Sequence, residues 1–197
     1  DAIIHAASAM KDAIVTVGDK FGLPGGWLNS DFTHTDSYSP RLVEHSSYYK
    51  TFSNVVTVRT VEAEYLVAMK LRSGRQYKYD LSDVVGILAE SKNRGKPITI
   101  EQVQTAFVNL YGSLDFMPDS SRELLDRIMA TEDFEAEYTH VAEEERRHAK
   151  LLKGFEQDYP GAANAQNVNS ILEKLKAMQP EDADRKPKSK TKSAPER

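Results

Sequence analysis

The chain has 197 residues, with 26 Lys and Arg, 30 Asp and Glu, and no cysteine. This length is enough for one domain plus an appendage. The lack of cysteine excludes a disulfide framework and a thiolate metal site, and it fits a reducing, cytoplasmic compartment. No apolar run approaches the roughly 20 residues that a bilayer-spanning helix needs, so no membrane contact is expected.

The formal net charge of −4 is unevenly distributed. Residues 181–197 hold six Lys and Arg against four Asp and Glu, which gives this tail +2 and leaves −6 for the rest. An acidic body is a poor general binder of nucleic acid. Any contact with a phosphate is therefore expected at a local basic island.

The first 21 residues are predicted to form a helix, because apolar residues recur at steps of three and four. The run Gly-Leu-Pro-Gly-Gly at residues 22–26 breaks this pattern. The next three residues, Trp27-Leu28-Asn29, are interpreted as a short strand or a buried loop.

Residues 30–50 are rich in Ser, Thr, Asp, His and Tyr, and they are predicted to be irregular, with a possible short helix at residues 41–45. Val55, Val56 and Val58 predict a strand over residues 54–59.

Helical patterning dominates the remainder of the chain. It predicts helices over residues 61–72, 80–91, 99–111, 120–130, 132–155 and 168–178. Thr99 and Gln102 have capping-box spacing, which marks the start of the third of these. The pattern as a whole predicts an α+β fold with few strands: a domain over residues 1–115, a helical extension over 116–179, and a disordered basic tail over 180–197.

One basic island lies between the first two of these helices. Lys70, Arg72, Arg75 and Lys78 supply four positive charges within nine residues, and no acidic residue falls between Tyr65 and Tyr79. In an acidic body, this island is the natural place for a phosphate.

Two carboxylates follow the island. Asp80 and Asp83 stand three residues apart at a predicted helix start, so they project from one side. Ser73-Gly74 ends the preceding helix, and the turn would bring Lys70 near Asp80.

A lysine beside carboxylates suits nucleotidyl transfer, because the lysine neutralises a triphosphate and a carboxylate binds Mg²⁺ or positions the attacking hydroxyl. The alternative is structural: Asp80 caps a helix, Asp83 pairs with an arginine, and the basic residues form a solvated face. From the residues alone this alternative is favoured, since charge runs usually lie on the surface.

The order of residues here resembles a block of the AbiEii-type nucleotidyltransferase toxins, within the DNA polymerase β-like nucleotidyltransferase superfamily. The matching positions are Glu64, Leu66, Ala68, Lys70, Leu71, Arg75, Asp80, Asp83 and Val84. Trp27-Leu28-Asn29 after a Gly-Leu-Pro turn also resembles these proteins. The resemblance covers residues 1–112.

The resemblance implies a nucleotidyltransferase-like core that transfers a nucleotidyl group from an NTP, with Mg²⁺, to a tRNA or protein acceptor. A partner antitoxin would hold this activity in check. Lys70 and Asp80 are the implied catalytic residues. The residues implied to bind the nucleotide are Arg72, Arg75 and Asp83, the last of them as support for Lys70 or Arg75.

The family's first block, Gly-Ser followed about ten residues later by Asp-x-Asp, does not occur in this chain. Asp1 stands where the second Asp of that motif is expected, so the core is expected to be incomplete at its N-terminus, with Asp1 as the remaining metal ligand. Asp31, in a polar cluster with His34 and Asp36, is a second candidate metal ligand, although such residues are also ordinary loop formers.

Two other hypotheses remain open. The chain is either a catalytically inactive nucleotide-binding or interaction module, or a structural helical domain. A single Glu-x-x-His motif at Glu145 to His148 falls short of the pair that a di-iron bundle needs, and its helix is predicted to face solvent there.

Overall fold

The computed structural model describes residues 2–164 and 166–178, with side chains from residue 8 onward. These ranges are mostly helical, with one two-stranded antiparallel sheet, so the α+β fold class is confirmed at this level. The elements are α1 (Ala2–Phe21), β1 (Ser46–Phe52), β2 (Val56–Val61), α2 (Ala63–Ser73), α3 (Asp80–Asn93), α4 (Ile100–Tyr111), α5 (Asp119–Ala130), α6 (Phe134–Asp158) and α7 (Val168–Met178).

The prediction for Trp27-Leu28-Asn29 was wrong, because these residues form neither a strand nor a buried loop. Trp27 and Leu28 are exposed and lie in a turn that follows α1. The Trp27 indole Nε1 donates to the Ile14 carbonyl oxygen at 2.9 Å, which folds the turn back onto α1. Gly18 makes room for this contact: a Cβ there would lie 3.1 Å from the indole nitrogen.

The segment predicted to be irregular contains β1, which the sequence pattern missed. It also contains two short 3-10 helices, Asp31–His34 and Pro40–Val43, the second of which lies beside the helix predicted at 41–45. Most side chains of β1 are exposed, so the strand lacks the alternation that half-buried strands show. The strand predicted at 54–59 is confirmed as β2.

The hairpin turn explains why no common turn signal announced the sheet. Ser53 and Asn54 have φ values of 49° and 54°, the left-handed conformation that a two-residue hairpin turn requires. Asparagine often adopts this conformation, whereas serine does so rarely, so the pair does not have the usual Asn-Gly signature.

The predicted helices of the remainder are confirmed, with ends that shift by a few residues. Thr99 Oγ1 accepts from the Gln102 backbone N–H and the Gln102 side chain accepts from the Thr99 N–H, so the predicted capping box is present. The core forms where α2 packs against α3 and α4, and where α3 packs against α6. Its largest cluster runs from Leu42 to Val141 and so includes residues on both sides of residue 115.

The prediction that α6 faces solvent around its Glu-x-x-His motif was wrong. Glu145 and His148 are both buried, with 3% and 5% of their surface exposed. One turn of helix separates them, so they lie on the face that packs against α3 and α7. None of the helices in the described ranges combines the length and apolarity that crossing a bilayer requires.

Candidate functional site

The predicted cluster forms where α2 ends and α3 begins. Gly74, with φ of 52°, terminates α2 in the left-handed conformation. A Cβ at this position would lie 2.5 Å from the Ser121 hydroxyl oxygen, so α5 also leaves room only for glycine. The reversal brings Lys70, from the last turn of α2, against the first turn of α3.

Asp80 is the centre of this cluster. Its Oδ1 lies 3.2 Å from Lys70 Nζ, and its Oδ2 accepts from the Ser73 hydroxyl and the Arg75 Nε, each at 2.7 Å. A second Arg75 nitrogen, Nη2, donates to Oδ1 at 3.2 Å, which makes the pair bidentate. Three side chains from α2 and the following loop thus satisfy both oxygens of one carboxylate.

Asp83 occupies a different position although it lies only one turn away. Its Oδ2 is 2.7 Å from Lys70 Nζ, but 44% of its side chain is exposed, against 3% for Asp80. The structure therefore places Lys70 between one buried and one open carboxylate.

The electrostatics follow from this arrangement. Burial alone would raise the pKa of Asp80, but hydrogen bonds from Arg75 and Ser73 and the charges of Arg75 and Lys70 hold it below its ordinary value of 3.8. Burial works to lower the pKa of Lys70, and its contacts with Asp83 and Asp80 raise the pKa above 10.5. Near neutral pH the network is therefore fully ionised.

This geometry bears on the roles that the resemblance implied. A buried carboxylate with a lowered pKa, whose oxygens are all engaged, is a poor proton acceptor. Asp80 is placed to hold Lys70 and Arg75, whereas Asp83 has the open position. The two implied roles are thus better suited to the opposite residues.

Lys70 and Asp83 line a surface cavity of about 550 Å³ between α2 and α3. Tyr138, from α6, forms another wall, and the ion pair between Glu90 and Arg94 lies at the C-terminal end of α3. A cavity of this size, with a few polar groups converging on it, is the usual form of a small-molecule site.

The sequence reasoning missed Glu145. Its carboxylate accepts from the backbone N–H groups of Leu81, at 2.9 Å, and Ser82, at 3.4 Å, and also from the Ser82 hydroxyl. Because the first N–H groups of a helix have no partner within it, a carboxylate from α6 satisfies the start of α3. Burial, and to a smaller extent the charge of Asp80, raise the pKa of Glu145, while these hydrogen bonds oppose the shift.

Arg72 does not join the cluster. Its Nη1 donates to the Phe116 carbonyl oxygen at 2.5 Å, and its guanidinium lies over the rings of Tyr111 and Phe116. Arg72 thus joins α2 to the loop after α4, on a different side from Lys70.

The predicted metal ligands are less well placed. Asp1 lies outside the described residues. Asp31 is exposed at the start of a 3-10 helix, where its backbone N–H donates to Asn29 Oδ1 at 2.8 Å. Within residues 2–164 and 166–178, no three His, Asp or Glu side chains are grouped as a metal site would require. The carboxylate best exposed to a cation beside Lys70 is that of Asp83.

Comparisons with protein-family models, with curated proteins and with solved structures give no match to this chain.

Proposed function

We propose that the cavity between α2 and α3 binds a nucleoside triphosphate and that the chain acts in nucleotidyl transfer. The observation that carries the proposal is the position of Lys70: Asp80 holds its ammonium from behind at 3.2 Å, and the open carboxylate of Asp83 is 2.7 Å away at the cavity wall. The order of residues from Glu64 to Val84, which resembles a nucleotidyltransferase block, supports the same assignment.

In this proposal Lys70 neutralises charge on the triphosphate. Asp83 contributes one carboxylate ligand to Mg²⁺, an ion that takes one or two protein carboxylates and fills its other positions with water and phosphate oxygens. Bound Mg²⁺ would neutralise further phosphate charge. Asp80 and Arg75 act as positioning residues, because they fix Lys70 and the chain reversal after α2.

The transfer joins an acceptor hydroxyl oxygen to the α-phosphorus of the NTP and breaks the bond from that phosphorus to the oxygen bridging it to the β-phosphorus. Pyrophosphate leaves, and the hydroxyl proton passes to solvent. The resemblance suggests a tRNA or protein acceptor and an antitoxin partner.

The test measures binding of each Mg²⁺–NTP to the chain by calorimetry. Lys70→Ala should weaken binding at least tenfold, about 1.4 kcal/mol. Lys96→Ala, an exposed lysine in the loop before α4, is the matched control and should leave the affinity unchanged. If no NTP binds to the unmodified chain, or if Lys70→Ala binds as tightly, the proposal is wrong.

A catalytically inactive nucleotide-binding or interaction module is the second candidate. It is favoured by the closed ion network, in which Lys70 already contacts two carboxylates before any ligand arrives. Incubation with α-labelled NTP and tRNA separates the two candidates. NTP binding with no transfer of label supports the inactive module, whereas labelled tRNA or protein supports the enzyme.

A further inference from the structure

A second, smaller cavity of about 190 Å³ lies where α5, α6 and α7 meet the loop after α2. Its apolar lining consists of Leu81, Leu124 and Val141, which are all buried. Three basic side chains from three different helices complete it: Arg127 of α5, Arg147 of α6 and Lys176 of α7.

His148 also lines this cavity, and it is the polar side chain whose hydrogen bonding is incomplete. Its Nδ1 lies 3.0 Å from the Gln76 carbonyl oxygen. A carbonyl only accepts, so Nδ1 must carry the proton, and in the neutral ring Nε2 is then a bare acceptor. This Nε2 is buried and has no hydrogen-bond partner among the described residues.

An unpartnered buried nitrogen lowers stability unless something reaches it. In a polar lining of this kind, a small ligand with a hydrogen-bond donor would satisfy Nε2. The neighbouring groups determine which ligand chemistry fits.

The basic side chains are only partly neutralised by protein carboxylates. Arg127 contacts Glu137 through Nε alone, at 2.7 Å, which leaves its terminal nitrogens available. Lys176 Nζ lies 2.9 Å from Glu173 and 3.3 Å from Gln76 Oε1.

The third basic group is paired more loosely. Arg147 lies 3.8 Å from Glu144, at the outer limit of an ion pair. Glu123 of α5 and Glu144 of α6 line the cavity as well, so its three cations face two carboxylates. The charge is therefore positive at the rim, and a neutral acceptor lies inside.

We propose that this cavity binds a protonated phosphate group, whose hydroxyl donates to His148 Nε2 while its other oxygens accept from Lys176, Arg127 and Arg147. Hydrogen phosphate and phosphate monoesters carry both kinds of group near neutral pH. Sulfate carries only acceptors, so the bare Nε2 discriminates against it. The proposal is independent of the function proposed for the cavity between α2 and α3.

The protonation state of the histidine agrees with this. Burial, with the charges of Lys176 and Arg147, holds the pKa of His148 below its ordinary 6.5, although the hydrogen bond to Gln76 and the charge of Glu144 work in the other direction. At about pH 7.5 the ring is therefore neutral and presents a lone pair.

The experiment follows the His148 ring by ¹H–¹⁵N NMR at about pH 7.5 while inorganic phosphate is added, with sulfate in a parallel titration at equal ionic strength. Phosphate should shift the Nε2 signal saturably and bind at least tenfold more tightly than sulfate. Glycerol 3-phosphate identifies the source of the group: tighter binding than inorganic phosphate supports a phosphate monoester as the ligand, and weaker binding supports free phosphate.

Two lysine variants complete the test. Lys176→Gln should weaken phosphate binding by about tenfold, whereas Lys174→Gln, on the exposed side of the same helix, should leave it unchanged. Three results would overturn the proposal: no saturable shift with phosphate up to about 20 mM, equal binding of sulfate, or equal losses in the two variants. Because both substitutions are on the surface, neither threatens the fold.

Discussion

The N-terminal region (residues 8–61) and the helical body (residues 63–158) use apolar side chains in opposite ways. In the helical body, Leu71 and Phe107 are completely buried. In the N-terminal region, Phe21, Val15 and Val55 are 65%, 62% and 80% exposed. The two regions therefore differ in whether their apolar side chains find another surface to pack against.

The difference shows that an apolar pattern is necessary for a core and is not sufficient for one. α1 is held to the turn behind it by the contact between Trp27 and Ile14, and β1 and β2 are joined by their own ladder. The helical body gains stability because α2, α3, α4 and α6 cover one another. Stability should accordingly be concentrated in the body, and the N-terminal region should open at lower free energy.

The largest expected effect comes from the two phenylalanines that represent these regions. Phe107→Ala should lower the free energy of unfolding by about 3–5 kcal/mol, because it leaves a cavity between α2 and α4. Phe21→Ala should change it by about 0.5 kcal/mol or less. Urea unfolding measures both, and equal losses would mean that α1 contributes to the same cooperative core.

The ion network supplies the next comparison. Asp80→Ala should cost about 3 kcal/mol, because Lys70 and Arg75 lose the buried carboxylate that pairs with them. Asp19→Ala, at an exposed position of α1, should cost about 0.5 kcal/mol or less. A small loss for Asp80→Ala in urea unfolding would mean that the network is replaced by water at little cost.

The same carboxylate predicts an acid dependence of stability. The pKa of Asp80 in the folded protein lies below its ordinary 3.8, so its contribution is present above pH 3.8 and is lost as the pH falls through the folded pKa. Asp80→Asn should flatten this part of the curve. Glu145, whose pKa is raised, acts in the opposite sense, so the variant rather than the total slope is the informative measurement.

Glu145→Ala should lower the free energy of unfolding by about 2 kcal/mol, because it leaves the Leu81 N–H and the Ser82 hydroxyl without their acceptor. Hydrogen exchange at Leu81 should also become faster. The exposed neighbour Glu143 provides the control, and Glu143→Ala should affect neither property. Unchanged exchange at Leu81 would show that water replaces the carboxylate.

The smallest effect is expected at the capping box of α4. Thr99→Ala should cost about 1 kcal/mol, because the Gln102 N–H loses its acceptor. Thr16→Ala in α1 is the matched substitution, since the Thr16 hydroxyl only donates to a carbonyl of its own helix. Thermal unfolding should separate the two variants, and a larger loss at Thr16 would contradict the ranking of the two regions.

The sequence by itself determined the features that depend on neighbours along the chain. Apolar spacing located the helices, and Thr99 with Gln102 located the start of one of them. The contact of Lys70 with Asp80 was also predictable, because a helix end at Gly74 reverses the chain within ten residues. Such features need only local geometry, which residue spacing encodes.

The tertiary structure decided the features that depend on distant partners. Glu145 is separated by more than sixty residues from the N–H groups it satisfies, and a run of charged neighbours made it resemble a solvated residue. The same packing buried Asp80 and left Asp83 open, although their spacing treated them alike. Burial depends on which surfaces meet, and only the assembled helices determine that.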